Sequence, residues 1–523
     1  MDHGIHTAEF RDNYRKAISN PQLQRALKLA TGRFTVHRTT AVTDVGEEWE
    51  GLRTRARQIK EQAIANLDRY LDQFSTNVER LGGKVIWAKD AAEANRYITQ
   101  LALDRGVKLA VKSKSMMTEE VELNMAFIAA GVEPVETDLG EYIVQLAGER
   151  PSHIIAPAIH KTRGEIADLF TDKLHVQRTE QIEEMTAIAR KVLRDRFAAA
   201  GMGVTGANFG IAESGTIVLV ENEGNIRLTT SLPKIHVALM GIEKVIPRLE
   251  DLAVLLRLLP RSASGQKMSS YVSFISGVKS SATDEGPEEL HVVILDNGRT
   301  GILANTKLRE SLYCIRCGAC LNTCPVYQKI GGHAYGWIYP GPIGSVLTPQ
   351  LVGRERAAQL PFASTLCGAC REVCPIKINI PDMLLELRHE IKEGGPTLVT
   401  LQSANRTDQG QSSAKDDSYN ALSPVKRFRM RVAGVLEKFA FRIWAMTMRT
   451  PQRYNRAARL ALLVSEGLGD PDRGLPAPGW TRTRNLPQLA PRPFRELWPN
   501  LPPAMKQNAN ALKLPERQSG RSE

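Results

Sequence analysis

Apolar residues recur at steps of three and four from Leu52 through Ala56, Ile59, Ala63, Leu67, Leu71 and Phe74 to Val78, the period of one helical face. The pattern predicts a single long helix over residues 47–80 that packs on the domain after it. From Lys84 the rhythm changes. Val85-Ile86-Trp87-Ala88 is a short apolar run, residues 91–104 are amphipathic, Leu109-Ala110-Val111 is a second run, and residues 118–130 are amphipathic again. Such alternation predicts a βαβα order. Further runs at 154–156, 216–220, 236–240 and 292–295 add strands. An α/β sheet domain is therefore expected over residues 66–300, behind an N-terminal helical segment, 1–65.

Beyond residue 303 strand patterning fades, and 305–313 and 381–391 read as helices. Residues 303–390 should form an α-helical module. Between its cysteine runs, residues 331–342 are rich in Gly, aromatic residues and Pro, which suits a tight cover more than a docking surface. Residues 391–424 are rich in Gly, Ser, Asn, Gln and Asp and read as a linker. A second amphipathic helix follows in a basic C-terminal region, 425–523. Phe428, Val432, Val435, Leu436, Phe439, Ile443 and Met446 share a face, beside a stripe of Arg427, Arg431, Lys438, Arg442 and Arg449. The end of the chain, from Pro503, is expected to be disordered.

All seven cysteines lie in the helical module: Cys314, Cys317, Cys320 and Cys324-Pro325, then Cys367, Cys370 and Cys374-Pro375. The first run has the C-x2-C-x2-C-x3-C-P spacing by which thiolates hold a cubane cluster, the fourth Cys of each run serving the other cluster. On that rule Cys314, Cys317, Cys320 and Cys374 hold one 4Fe-4S cluster. Cys324, Cys367 and Cys370 remain for the second, and Ser364 stands where its first Cys would be. A 3Fe-4S centre, a 4Fe-4S centre with an oxygen or outside ligand, and a Cys from a partner protein all satisfy that arithmetic. Zinc gives no reason for a third Cys at the same short step. A disulfide framework is not needed in a chain long enough to bury a large core.

Charge changes the picture only at one end. Residues 424–523 carry 19 Lys and Arg against 7 Asp and Glu, the whole of the formal +12, while the other 423 residues carry 50 of each sign. A basic tail on a neutral body points to an acidic partner or an anionic membrane surface rather than to nucleic acid. No signal peptide and no membrane span are read in the sequence. Reduced metal-ligating cysteines suit the cytoplasm, with contact at the inner face of the membrane through the tail.

The cysteine motifs and their surroundings resemble the lactate utilisation protein B family, iron-sulfur proteins of bacterial L-lactate utilisation. The resemblance lies in Leu312-Tyr313-Cys314-Ile315-Arg316-Cys317-Gly318-Ala319-Cys320, the Gly-Gly-His-Ala-Tyr-Gly-Trp loop from Gly331, and Leu360-Pro361-Phe362-Ala363-Ser364 leading to Leu366-Cys367-Gly368-Ala369-Cys370. Residues 112–120 and 205–216 are similar to that family's α/β domain. The resemblance implies one component of a three-protein system oxidising L-lactate to pyruvate and handing electrons to an acceptor. It implies two 4Fe-4S clusters on the ligand sets given above. It also implies an α/β domain similar to the sugar-phosphate isomerase and CoA-transferase type, which by itself names no substrate.

Removing two electrons and two protons from a 2-hydroxy acid needs a two-electron site, and no compact dinucleotide fingerprint is present. Gly201-Met202-Gly203-Val204-Thr205-Gly206 spells G-x-G-x-x-G, but helix-like residues precede it and no strand leads in. The two-electron step is therefore assigned to a partner or another cofactor. Candidate substrate residues are Lys112 and Lys114 after a strand, Glu213 in a turn, Arg227, and His236 inside an apolar run. Arg or Lys would bind a carboxylate, and Glu or His would take a proton. Two function classes follow: an electron-transfer subunit for L-lactate, or for glycolate or another 2-hydroxy acid, and an iron-sulfur redox-sensing binding protein. The first accounts for two clusters.

Overall fold

Asn66 divides the long apolar stripe into two helices, Glu48–Ala65 and Leu67–Arg80, in place of the single helix predicted. Its φ of −126° and ψ of 42° leave the helical region, and its side chain donates to the Gln62 carbonyl (2.9 Å). Such a local side-chain bond competes with continued helix. The first helix packs on helix Leu249–Ala263 and on the 3-10 turn Arg309–Tyr313, and the second on the sheet. This computed structural model describes residues 4–281, 284–393, 439–468 and 497–500. Residues 1–408 form one unit and 409–523 another.

Among the described residues ten strands form two sheets: β1 Lys84–Ala88, β2 Leu109–Lys112, β3 Glu133–Glu136, β4 Met202–Thr205, β5 Phe209–Ile211, β6 Thr216–Glu221, β7 Ile235–Gly241, β8 Val245–Ile246, β9 Tyr271–Ile275 and β10 Glu289–Leu295. The larger sheet is parallel, in the order β1-β10-β7-β4-β2-β3. Every residue of β4 and β7 is buried, as expected where helices cover both faces of a parallel sheet. The smaller sheet runs β8-β5-β6-β9.

Several expectations fail for local reasons. The apolar run at 154–156 is a loop, not a strand: the His153 ring accepts from the backbone N–H groups of Ile155 and Ala156 (3.1 and 3.2 Å). The helix over 118–130 is two helices, Met116–Glu120 and Leu123–Ala129, parted by Glu122 at φ 54°. The G-x-G-x-x-G stretch contains strand β4 and so is not a strand-to-helix turn. A Cβ at Gly203 would lie 1.9 Å from the Thr229 carbonyl oxygen, so this glycine serves close packing of helix Asn225–Ser231 on the sheet.

In the cysteine module the predicted helix at 305–313 is reduced to the turn Arg309–Tyr313, whereas Ile380–Glu393 is helical as read. Most of the Gly/aromatic/Pro loop is buried, Tyr335 and Tyr339 completely. In the second unit, residues 439–448 and Pro451–Leu468 are helical, with Phe439, Phe441, Trp444, Leu460 and Leu463 exposed. Linker residues 394–424, the start of the basic helix at 425–438, and the chain end from Pro503 lie outside the described residues. Among the described residues no helix is long and apolar enough to cross a membrane.

Candidate metal centre

A nine-residue unit recurs after a step of 50, with six of its positions identical: Cys317-Gly318-Ala319-Cys320-x3-Cys324-Pro325 and Cys367-Gly368-Ala369-Cys370-x3-Cys374-Pro375. The backbone repeats with them. Arg316 and Leu366 take left-handed φ values of 60° and 55°, Gly318 and Gly368 follow at 75° and 85°, and the short helices Ala319–Asn322 and Ala369–Glu372 begin there. Five of the seven thiols are buried, Cys314 is half-buried and Cys367 exposed, and backbone N–H groups are aimed at several of them. Arg316 donates to Cys314 Sγ (3.4 Å), Tyr327 to Cys324 Sγ (3.5 Å) and Ile378 to Cys374 Sγ (3.4 Å).

All seven thiols are free. Burial holds those of Cys317, Cys320, Cys324, Cys370 and Cys374 above their ordinary value, Cys370 at about 12 and Cys374 at about 11. Exposed Cys367 is lowered by a hydrogen bond from Thr365. Mutual repulsion sorts the thiols into two groups. Cys317 and Cys374 each feel Cys314, and Cys320 feels Cys314, Cys317 and Cys374. Cys324 feels Cys367, and Cys370 feels both Cys324 and Cys367. Cys320 also feels Cys370, so the groups adjoin.

Three buried donors around these groups lack partners among the described residues: Arg38 Nε, Arg316 Nη1 and Tyr335 Oη. Arg38 lies in the field of Cys317 and Cys374, Arg316 in that of Cys314, and Tyr335 in that of Cys324 and Cys320. Unpaired buried donors are costly, and thiolates around iron and sulfide carry the negative charge and acceptor atoms that would satisfy them. The donor set therefore fits iron-sulfur clusters.

A buried ionic network joins this centre to the sheet domain. Arg299 donates to Glu120 (2.8 and 2.7 Å) and Glu243 (2.7 Å), and Tyr339 donates to Glu120 (2.6 Å). Arg316 sits 3.6 Å from Glu243 and 4.9 Å from the Tyr339 ring centroid. Lys60 donates to the Glu243 carbonyl (2.6 Å), and burial together with Lys244 lowers its ammonium to about 7. Of these residues Glu120, Arg316 and Tyr339 lie in segments that the sequence singled out, whereas Lys60, Glu243, Lys244 and Arg299 carry no such signal.

The LUD domain family matches residues 71–295, the 4Fe-4S dicluster domain family residues 310–378, and the family described as lactate utilisation protein B, C-terminal, residues 423–500. Lactate utilization protein B of Shouchella clausii is 41% identical over 493 residues, which is 94% of this chain and 97% of the relative. The chain belongs to the lactate utilisation protein B family. The protein of the same name from Oceanobacillus iheyensis is 40% identical over 96% of this chain and 98% of its own. That from a Geobacillus species is 47% identical over 74% and 82%. A crystal structure of a DUF162 family protein from Deinococcus radiodurans covers 44% of this chain and 98% of its own, at 13% identity and a TM-score of 0.26. The dicluster match supports two iron-sulfur clusters.

Within the LUD segment the candidate substrate residues are scattered among structural roles. Lys112 ends β2 and is fully buried, bonded to Glu136 and Asn124 (both 2.6 Å). Burial alone would lower its ammonium; Glu136 and Glu119 reverse this and raise it. Lys114 is half-buried in the loop after β2. Glu213, in the turn between β5 and β6, is exposed and accepts from Leu249 N (2.6 Å) at the start of helix Leu249–Ala263. Exposed Arg227 lies over the Tyr271 ring. His236, on β7, is fully buried against Thr205 (2.9 Å). Lys112 and His236 are packed core groups, and Glu213 helps to cap a helix.

Proposed function

We infer that the chain is the iron-sulfur electron-transfer subunit of a lactate-utilisation system that oxidises L-lactate to pyruvate. The observation that carries this reading is the doubled C-G-A-C-x3-C-P unit, in a chain related along nearly its whole length to proteins named lactate utilization protein B. Cys314, Cys317, Cys320 and Cys374 are assigned to one cluster, and Cys324, Cys367 and Cys370 to the second. When bound, each cluster supplies a one-electron site, so two of them can receive in single steps the pair of electrons released by a 2-hydroxy acid. The hydride or carbanion step is assigned to another subunit.

The chain's own residues set the environment of that relay. Backbone N–H groups and the free donors of Arg38, Arg316 and Tyr335 stabilise added negative charge, which favours reduction. Burial of Cys317, Cys320 and Cys374 keeps water from the first group. Exposed Cys367, beside exposed Phe362 and Thr365, marks the surface through which electrons exchange with a partner. The α/β domain is read as similar in type to the sugar-phosphate isomerases and CoA-transferases. The chain is assigned to the cytoplasm, with its basic C-terminal region on an acidic partner or on the inner face of the membrane.

The test is L-lactate-dependent dye reduction by the anaerobically reconstituted chain with and without the other purified subunits. Activity only in the complete mixture, with cluster absorbance bleaching on lactate addition, is the expected result. Robust reduction by the chain alone, or clusters that stay oxidised in the complete mixture, overturns the assignment.

A further inference from the structure

We propose that Ser364 supplies the fourth protein ligand of the second cluster, through its Oγ as an alkoxide. The proposal rests on the assignment of Cys324, Cys367 and Cys370 to that cluster and deepens it. Three thiolates leave one iron of a cubane without a protein ligand. The 50-residue repeat puts Ser364 in register with Cys314, three residues before the C-G-A-C unit in each half.

The local geometry reproduces that register. Cys314 Sγ accepts the backbone N–H of Arg316 (3.4 Å), and Ser364 Oγ accepts that of Leu366 (3.1 Å). Both donors are two residues downstream, and both have left-handed backbones, φ 60° and 55°. The hydroxyl thus occupies the place in its turn that the thiol occupies in the other. Its segment is also pinned. Arg388 Nε donates to the Pro361 carbonyl (2.9 Å) and Arg388 Nη2 to that of Ser364 (3.0 Å), bracketing the turn in which Ser364 sits. The neighbouring Thr365 is exposed, and its side chain is turned to the thiol of Cys367 instead.

Ligation would replace the O–H bond by an O–Fe bond, the hydroxyl proton passing to solvent, with no change in the electron count of the cluster. An alkoxide is a harder donor than a thiolate and stabilises the oxidised irons more. The second cluster should then have a lower potential than an all-thiolate counterpart and one iron distinct from the other three.

The experiment is Mössbauer and EPR spectroscopy, with redox titration, on full-length protein reconstituted anaerobically with iron and sulfide. Wild type, Ser364→Ala and Ser364→Cys are compared. The expected wild type holds two four-iron clusters, one with a distinct iron. Ser364→Ala should convert the second cluster to the three-iron form with loss of about one iron per chain. Ser364→Cys, which preserves the turn and the fold, should keep four irons, erase the distinct iron and raise the potential of that cluster. Identical spectra for wild type and Ser364→Ala would show water or an outside group at the fourth iron and overturn the proposal. A three-iron cluster in the wild type would do the same. Cys324→Ala separates the two levels of argument: if it leaves both clusters intact, the ligand assignment itself has failed, whatever Ser364 does.

Discussion

Arg53 donates from Nε and Nη2 to the carbonyl oxygen of Cys374, at 3.0 and 2.9 Å, across 321 positions of sequence. A side chain of the N-terminal helical segment thereby fixes the backbone of a thiol in the second cysteine run. Nη2 also donates to the Glu372 carbonyl (2.9 Å). Arg53→Ala should leave these carbonyls without their charged donor and cost about 3 kcal/mol. Chemical denaturation of the holo-protein checks the cost, and cluster loss to an iron chelator should be faster in the variant. Arg53→Lys, lacking the forked donors, should rescue only in part.

The pair Glu120 and Arg299 is buried on both sides, and Glu243 and Tyr339 complete its bonding. Arg299→Met would strand two carboxylates in the interior. A loss of about 3–5 kcal/mol is expected, measured as a lower midpoint of denaturation. Because Tyr339 belongs to the cysteine module, the variant should also release its clusters more readily on warming.

His236 is held neutral by burial, its pKa lowered to about 4, with His291 a smaller contribution. The unfolded chain binds this proton near pH 6.5, so stability is full above that value and falls as the pH drops from about 6.5 toward 4. By linkage His236 should account for a loss of about 2 kcal/mol between pH 7 and pH 5. His236→Gln should show a correspondingly shallower fall over that interval in urea titrations. Equal slopes for the two proteins would remove His236 from the acid response.

Cys314→Ala should leave the first cluster on three thiolates and convert it to the three-iron form, with loss of about one iron per chain, and spare the second. Iron and sulfide analysis with EPR of the reduced protein checks this. Zinc in place of iron in the wild type would defeat it.

Removing residues 424–523 should leave both clusters in place, since every cysteine precedes this segment. Coupled lactate oxidation should fall, and the difference from the full chain should shrink at high salt, where charges are screened within less than about 8 Å. Cluster content and coupled rates at two salt concentrations decide the matter. Loss of clusters would make the tail part of the core, and unchanged rates would make it dispensable.

The sequence alone determined what depends on neighbours along the chain. Thiol spacing is local chemistry, so the iron-sulfur motif and the odd serine were legible from Cys314 to Cys374. Strands β2, β7 and β10 were legible because burial on a parallel sheet demands continuous apolar runs, and edge strand β1 and β6, which pairs antiparallel in the smaller sheet, because each carries a short apolar run of its own. Strands β3, β5, β8 and β9 were not: they are two to five residues long, and β3 begins and ends on Glu, so their form comes from pairing partners. The break at Asn66 escaped periodicity because the apolar spacing runs through it unbroken. Only the tertiary structure could bring Arg38 and Arg53 to the cysteine runs, show Lys112 and His236 buried and bonded to Glu136 and Thr205, and close the Glu120, Arg299 and Glu243 network. Each joins groups far apart in sequence, and the electrostatics of burial acts through space.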